Sequence, residues 1–172
     1  RDEKFDICYG TKNNKYNFKW TSLMSDRYYA ILPKEYPLST DTFPIQQFNG
    51  TKFLMPGLGY DDDIGQVFNE HKVHPFVTPT YVDDPAILSM VEHNLGISML
   101  SALTIADRHD TVRIVPISPF ISRNICVAVK PDKVLTLPMK RLIAITKETA
   151  RTYVPKIYHK FNIFQNKRYS DF

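Results

Sequence analysis

The chain is poor in the features that mark several whole classes of protein. It holds only two cysteines among 172 residues. That is too few for the disulfide framework of a small secreted scaffold. Cys8 and Cys126 both fall in apolar, strand-like runs, where a thiol behaves as a small hydrophobe, so a reducing, cytoplasmic setting is expected. No apolar run approaches the roughly 20 residues of a membrane helix, and no membrane partner is expected. The opening stretch RDEKFDICYG has neither the apolar centre nor the small-residue cleavage site of a signal peptide, so secretion is not expected either. Also missing are a Gly-rich phosphate loop of the G-x-x-x-x-G-K-[ST] type, H-E-x-x-H, C-x-x-C and G-x-S-x-G. Without such a constellation the chain does not read as an enzyme, and no cofactor is implied. His71, His74, His93, His109 and His159 show no ligand spacing beyond the pair His71 and His74, three apart at a helix end. Histidines there complement the helix dipole, so no metal site is expected.

What the chain does have is a hydrophobic fraction of 43%, enough for a core in one domain or two small lobes. The net charge of +4 is unevenly spread. The tail KETARTYVPKIYHKFNIFQNKRYSDF interleaves lysine and arginine with aromatics, while the middle is acidic at Asp61, Asp62, Asp63, Asp83 and Asp84. Basic residues among aromatics can bind phosphates and stack bases. The same pattern also makes the solvated face and apolar underside of a last helix, which is the reading taken here.

Alternation and β-branched content predict strands at residues 5–9, 27–32, 51–55, 76–81, 97–100, 112–117 and 124–130. Helical spacing appears over 61–72 (Ile64, Val67, Phe68), over 85–94 (Ala86 with Met90, Ile87 with Val91) and over 137–151 (Met139, Leu142, Ile143, Thr146, Ala150). Strands and helices alternate through the middle, which predicts βαβ units on a mostly parallel sheet. The second helix should begin with Asp84 as its N-cap and Pro85 in its first position. It should end at Asn94 to Gly96, residues that accept a left-handed backbone and let the chain leave along a buried strand.

The order of these pieces resembles the effector-binding region of LysR-type transcriptional regulators. FDICYG, Asp6 to Gly10, is similar to the strand in which that family places aspartate, a hydrophobe, a small residue and a hydrophobe. Glu35-Tyr36-Pro37-Leu38-Ser39 stands where the family has its his-Pro-Leu-Ala segment. The hallmark V-x-x-G-L-G-I-x-x-L-P is matched by Val91, Leu95, Gly96, Ile97 and Leu100. Asn94 replaces the first glycine and Ser101 the proline; asparagine is the other residue that tolerates a left-handed backbone. The likeness covers residues 5–151, and the tail after Tyr153 has no counterpart in it.

The resemblance implies an α/β fold of two Rossmann-like lobes joined by two crossover strands, like a type II periplasmic binding protein. Lobe I would hold residues 1–32 and 124–172, without the family's first strand–helix unit and with sheet edges and apolar faces left exposed. Lobe II would hold 33–123. A small-molecule effector would sit in the cleft between the lobes, shifting an open–closed equilibrium. DNA would be bound only through an N-terminal helix-turn-helix that these residues do not include. A homodimer or tetramer is implied, its effector regions paired side by side and antiparallel, with Phe68 and Val73 available to the partner. In open α/β sheets ligands bind beyond the carboxyl ends of strands. Three loops therefore stand out: Gly10 and Thr11; Pro56, Gly57, Leu58, Gly59 and Tyr60; and Val82, Asp83, Asp84 and Pro85. A solute-binding protein of a transport system, with the same fold, is the alternative reading.

Overall fold

The computed structural model describes residues 5–13, 15–57, 60–79, 82–105 and 111–165, with side chains for all of these except 60–62, 79 and 154–165. In chain order the elements are β1 (Ile7–Thr11), β2 (Lys19–Leu32), β3 (Phe43–Pro44), a 3-10 turn (Ile45–Phe48), β4 (Lys52–Met55), α1 (Tyr60–His71) and β5 (Phe76–Pro79). They continue with α2 (Asp84–Glu92), β6 (Ser98–Ser101), α3 (Ala102–Ile105), β7 (Arg113–Ser118), β8 (Ser122–Val129) and α4 (Leu137–Gln165). The chain forms two compact units, residues 1–26 with 123–172 (unit 1) and residues 27–122 (unit 2).

Unit 2 carries most of the apolar interior. Leu32, Phe43, Phe48, Phe53, Ile64, Met99 and Ile117 are among its fully buried side chains. Phe48 is the hub: its ring lies 4.7 Å from Phe43, 5.5 Å from Phe53 and 5.6 Å from Phe68, in tilted or edge-on geometries that satisfy the aromatic quadrupole. The strands surround it in mixed directions. β2 lies antiparallel to both β6 (Tyr28 opposite Ser101) and β7 (Tyr29 opposite Pro116), while β7 takes β3 in parallel. β4 and β5 are parallel, Lys52 opposite Phe76 through Met55 opposite Pro79. β4 is tied to the start of β6 by a parallel bridge, with Leu54 N–H donating to Ile97 O at 2.8 Å and Ile97 N–H to Lys52 O at 3.0 Å. The βαβ expectation thus holds for β4, α1, β5, α2 and β6, whereas parallel pairing does not extend to the strands around β2. Alternation of side chains reports which face is buried but not which way a neighbouring strand runs.

Two helix ends show how local chemistry sets this frame. α1 stops where Lys72 turns left-handed (φ 54), and Val73 N–H then donates to Phe68 O at 2.9 Å. That turn throws Val73 inward. Phe68 and Val73, expected to be available to a dimer partner, are 5% and 2% exposed and belong to the core. α2 is capped one residue earlier than expected, by Asp83, whose carboxylate accepts from Ala86 N at 3.0 Å; Asp84 and Pro85 follow in the first turn. At its other end the expected left-handed residue is Asn94 (φ 59). Asn94 N–H bonds Val91 O at 2.9 Å and Leu95 N–H bonds Met90 O at 3.0 Å, the paired closure of a Schellman motif. Gly96 serves differently: a Cβ there would lie 2.7 Å from Lys52 O and 3.0 Å from the Leu54 side chain. Asparagine turns the chain, and glycine lets it close on β4.

Unit 1 has β1 antiparallel to β8, from Ile7 opposite Val129 to Thr11 opposite Ile125. α4 buries Ala150 and half-buries Met139, Ile143 and Thr146, whose hydroxyl meets Tyr9 Oη at 3.0 Å. Cys126 is buried as expected, and burial pushes its thiol up, against a smaller opposing pull from Lys12. Cys8 is exposed, contrary to the expectation, because the face of edge strand β1 that carries it meets no core. Asp26 is fully buried and paired with Arg123, whose Nε and Nη2 lie 3.0 and 2.9 Å from Oδ2. Among the described residues, no helix is long and apolar enough to cross a membrane.

Candidate functional site

β4 and β5 run parallel, so the loops that follow them leave from the same end of the sheet. That end is where open α/β sheets bind ligands. Phe53 and Leu54, both fully buried, fix β4, and Ser98 Oγ donates to Leu54 O at 2.7 Å from inside the core. The loop after β4 begins with buried Pro56 and half-buried Gly57. Leu58 and Gly59 lie outside the described residues, and Tyr60 opens α1.

The loop that follows β5 reaches Val82, which is 37% exposed, then exposed Asp83, Asp84 of the α2 first turn and exposed Pro85. These two loops meet. A Cβ on Gly57 would stand 2.7 Å from the Val82 carbonyl oxygen, so the main chains touch at a point that admits no side chain. The structure therefore brings together Gly57 and Val82, which sequence reasoning could only place on separate loops.

The chemistry at this end is set by how the helix start spends its donors. Asp83 accepts from Ala86 N through its side chain and from Ile87 N, at 3.1 Å, through its carbonyl, while Pro85 has no N–H to give. Of the first-turn amides that would otherwise face an anion, that of Ala86 is thus used inside the cap, and Ile87 N–H already makes the first intrahelical bond. Carboxylates at Asp83 and Asp84 further complement the positive end of the helix themselves.

Gly10 and Thr11, the remaining candidates, close β1 in unit 1, opposite Cys126 and Ile125. A Cβ on Gly10 would meet no atom within 4 Å, so packing does not demand a glycine there. Thr11 is half-buried, and the next residue, Lys12, bonds Asn124 O through its amide at 3.3 Å.

Two positioning residues went unnoticed in the sequence. Arg113 on β7 donates through Nη1 to Tyr36 O at 3.2 Å and through Nη2 to Leu38 O at 3.4 Å, holding the 35–39 segment that carries part of the family likeness. Ser98 is the other. A lone arginine or serine at a strand start carries no pattern that could have flagged either. Among the described residues, no group of three or more His, Cys, Asp or Glu is placed to hold a metal ion. His71 instead donates Nδ1–H to Val67 O at 3.0 Å.

A family model described as the LysR substrate binding domain matches residues 1–151. No curated protein is significantly similar in sequence. Among solved structures, the regulatory domain of CcmR from Synechocystis PCC6803, in complex with 2-PG, is similar with a TM-score of 0.74 at 21% identity, over 86% of this chain and 74% of that one. The effector binding domain of QuiR in complex with shikimate matches with a TM-score of 0.73 at 19% identity, over 87% and 74%. Full-length BenM matches with a TM-score of 0.72 at 20% identity, over 87% of this chain and 52% of its own length. At these identities the structural matches speak for the fold alone.

Proposed function

The chain belongs to the LysR substrate-binding domain family, whose members are regulatory rather than enzymatic, and from that premise we propose that it is the effector-sensing and dimerisation module of a bacterial transcription regulator. A small metabolite is held by loops 56–60 and 82–85 of unit 2, and Gly10 and Thr11 of unit 1 are its further candidate contacts. The observation that carries this reading is the main-chain contact of Gly57 with Val82 at the carboxyl end of parallel strands. DNA binding belongs to a helix-turn-helix elsewhere in the parent protein, and the working compartment is the cytoplasm.

CcmR and QuiR are seen with 2-PG and shikimate, so small organic acids are the natural first probes. The internally spent donors and the carboxylates at the start of α2 turn this site away from dianions and toward a ligand with hydroxyl or ammonium groups. Charge also supports pairing. Unit 1 holds sixteen Lys and Arg against seven Asp and Glu (+9), while unit 2 holds six against eleven (−5), together the +4 of the chain. Two copies related by a two-fold axis satisfy both units at once when unlike units meet.

A thermal-shift screen of hydroxy acids, amino acids and dicarboxylates tests the proposal. A ligand at a hundred times its Kd should stabilise the fold by about 2.7 kcal/mol. Thr11→Ala and Val82→Lys should each weaken that ligand while leaving the unliganded melting temperature in place. A hit whose shift ignores both variants moves the site elsewhere. A dicarboxylate that binds in the micromolar range while amine-bearing ligands do not overturns the ligand class. Sedimentation of the chain as a monomer at low salt removes the dimer.

A further inference from the structure

A second surface lies in unit 1, on the connection between β1 and β2 and the start of β2. Residues 7–25 contain no Asp or Glu and carry Lys12, Lys15 and Lys19, all exposed. Asn13 organises the turn: its side-chain Oδ1 accepts from Lys15 N at 2.9 Å and its carbonyl from Tyr16 N at 3.2 Å. Phe18 N–H then bonds Tyr16 O at 2.9 Å. Beyond this turn every second residue is aromatic. Tyr16 and Phe18 stack at 6.0 Å with ring planes 21° apart, and Phe18 meets Trp20 edge-on at 5.9 Å. Tyr16 is 58% and Phe18 37% exposed, so two of the three rings spend much of their area on water.

Tyr16 and Phe18 stand outside the core cluster, Trp20 is half-buried, and Lys12, Lys15 and Lys19 are interspersed with the three rings along the same short stretch. A positively charged track beside successive aromatic rings is the chemistry that holds a nucleic-acid strand with unpaired bases: phosphates on the ammonium groups, base faces on the rings. We propose that Lys12, Lys15, Lys19, Tyr16, Phe18 and Trp20 form a stacking platform for single-stranded nucleic acid. The surplus of positive charge in unit 1 draws a polyanion toward it. Duplex DNA is a poorer fit, since its base faces are already stacked on one another. An acidic peptide satisfies the lysines but offers nothing to the rings. The inference does not depend on the effector reading above.

Trp20 is the only tryptophan in the chain, so its emission reports on this surface alone. The full chain is titrated with a short oligodeoxythymidylate, following tryptophan quenching and the anisotropy of the labelled strand. Saturable quenching is expected, with log K falling against log salt with a slope of about −2 for three phosphate contacts. Tyr16→Ala with Phe18→Ala should weaken binding by at least about fivefold, the lower end of what one stacked base contributes. These side chains lie outside the core, so circular dichroism should be unchanged. Lys12→Ala, Lys15→Ala and Lys19→Ala together should flatten the salt slope. Binding without quenching, wild-type affinity in the double aromatic variant, or equal affinity for a duplex or a polyglutamate peptide would each overturn the proposal.

Discussion

The two units divide the physical chemistry of the chain unequally. Among the described residues, unit 2 buries twenty-five apolar side chains and unit 1 only five, Cys126, Val127, Ala128, Val129 and Ala150. The large exposed hydrophobes are split the other way, nine in unit 1 (Leu137 at 80% and Ile145 at 56% among them) against six in unit 2. Unit 2 is therefore a body held by a hydrophobic interior, whereas unit 1 relies on strand pairing, a buried ion pair and the partly covered helix α4. The contrast shows that a family match running through both units does not mean equal stability in both, since marginal stability is set locally by buried area.

The sharpest way to break this contrast is to hollow out the larger core. Phe48→Ala removes the ring at the centre of the aromatic cluster and should cost about 4 kcal/mol in urea-induced unfolding followed by circular dichroism. A loss under 1 kcal/mol would mean that unit 2 is not the body that sets stability. Next in size, Arg123→Ala leaves the fully buried Asp26 carboxylate without its cation and should cost about 3 kcal/mol. Replacing both partners at once, Asp26→Leu with Arg123→Met, should cost much less, and a double variant no better than the single one would remove charge burial as the cause. Gly96→Ala drives a methyl against the Lys52 carbonyl and should cost about 2 kcal/mol, read as a lower melting temperature with the junction of β4 and β6 exchanging amide hydrogens faster. Asp83→Ala removes the cap of α2 for about 1 kcal/mol. Leu142→Ala, on the uncovered side of α4 in unit 1, should stay within about 0.5 kcal/mol, and a larger loss would show that this face is covered in solution.

Much of unit 2 was legible in the residues because its signals are local. The positions of β4, β5 and β6 and of the helices between them follow from periodicity, and the stop after α2 follows from Asn94 and Gly96, though only coordinates separate the turning role of one from the packing role of the other. The cap of α2 was misplaced by one residue because Asp83 and Asp84 are equally good acceptors, and which carboxylate reaches Ala86 N depends on the path from β5. The apolar signal of β2 starts at Arg27, but the strand begins at Lys19, since its first seven residues are exposed or half-buried and lack the apolar alternation that marks a strand. The direction of β6 and β7 against β2, and the inward turn of Phe68 and Val73, are long-range outcomes with no local signature. The same holds for the candidate site. Its loops could be nominated from strand ends, but the touching of Gly57 and Val82 joins residues twenty-five apart and is a product of parallel pairing.

Arg113 carries one consequence for how the sequence around it is free to drift. Both of its guanidinium contacts end on main-chain carbonyls, which every residue type carries, so exchanging the side chains of Tyr36 or Leu38 leaves the acceptors in place. The connection between β2 and β3 is therefore open to variation in its own residues, while its tether rests on a single arginine one strand away.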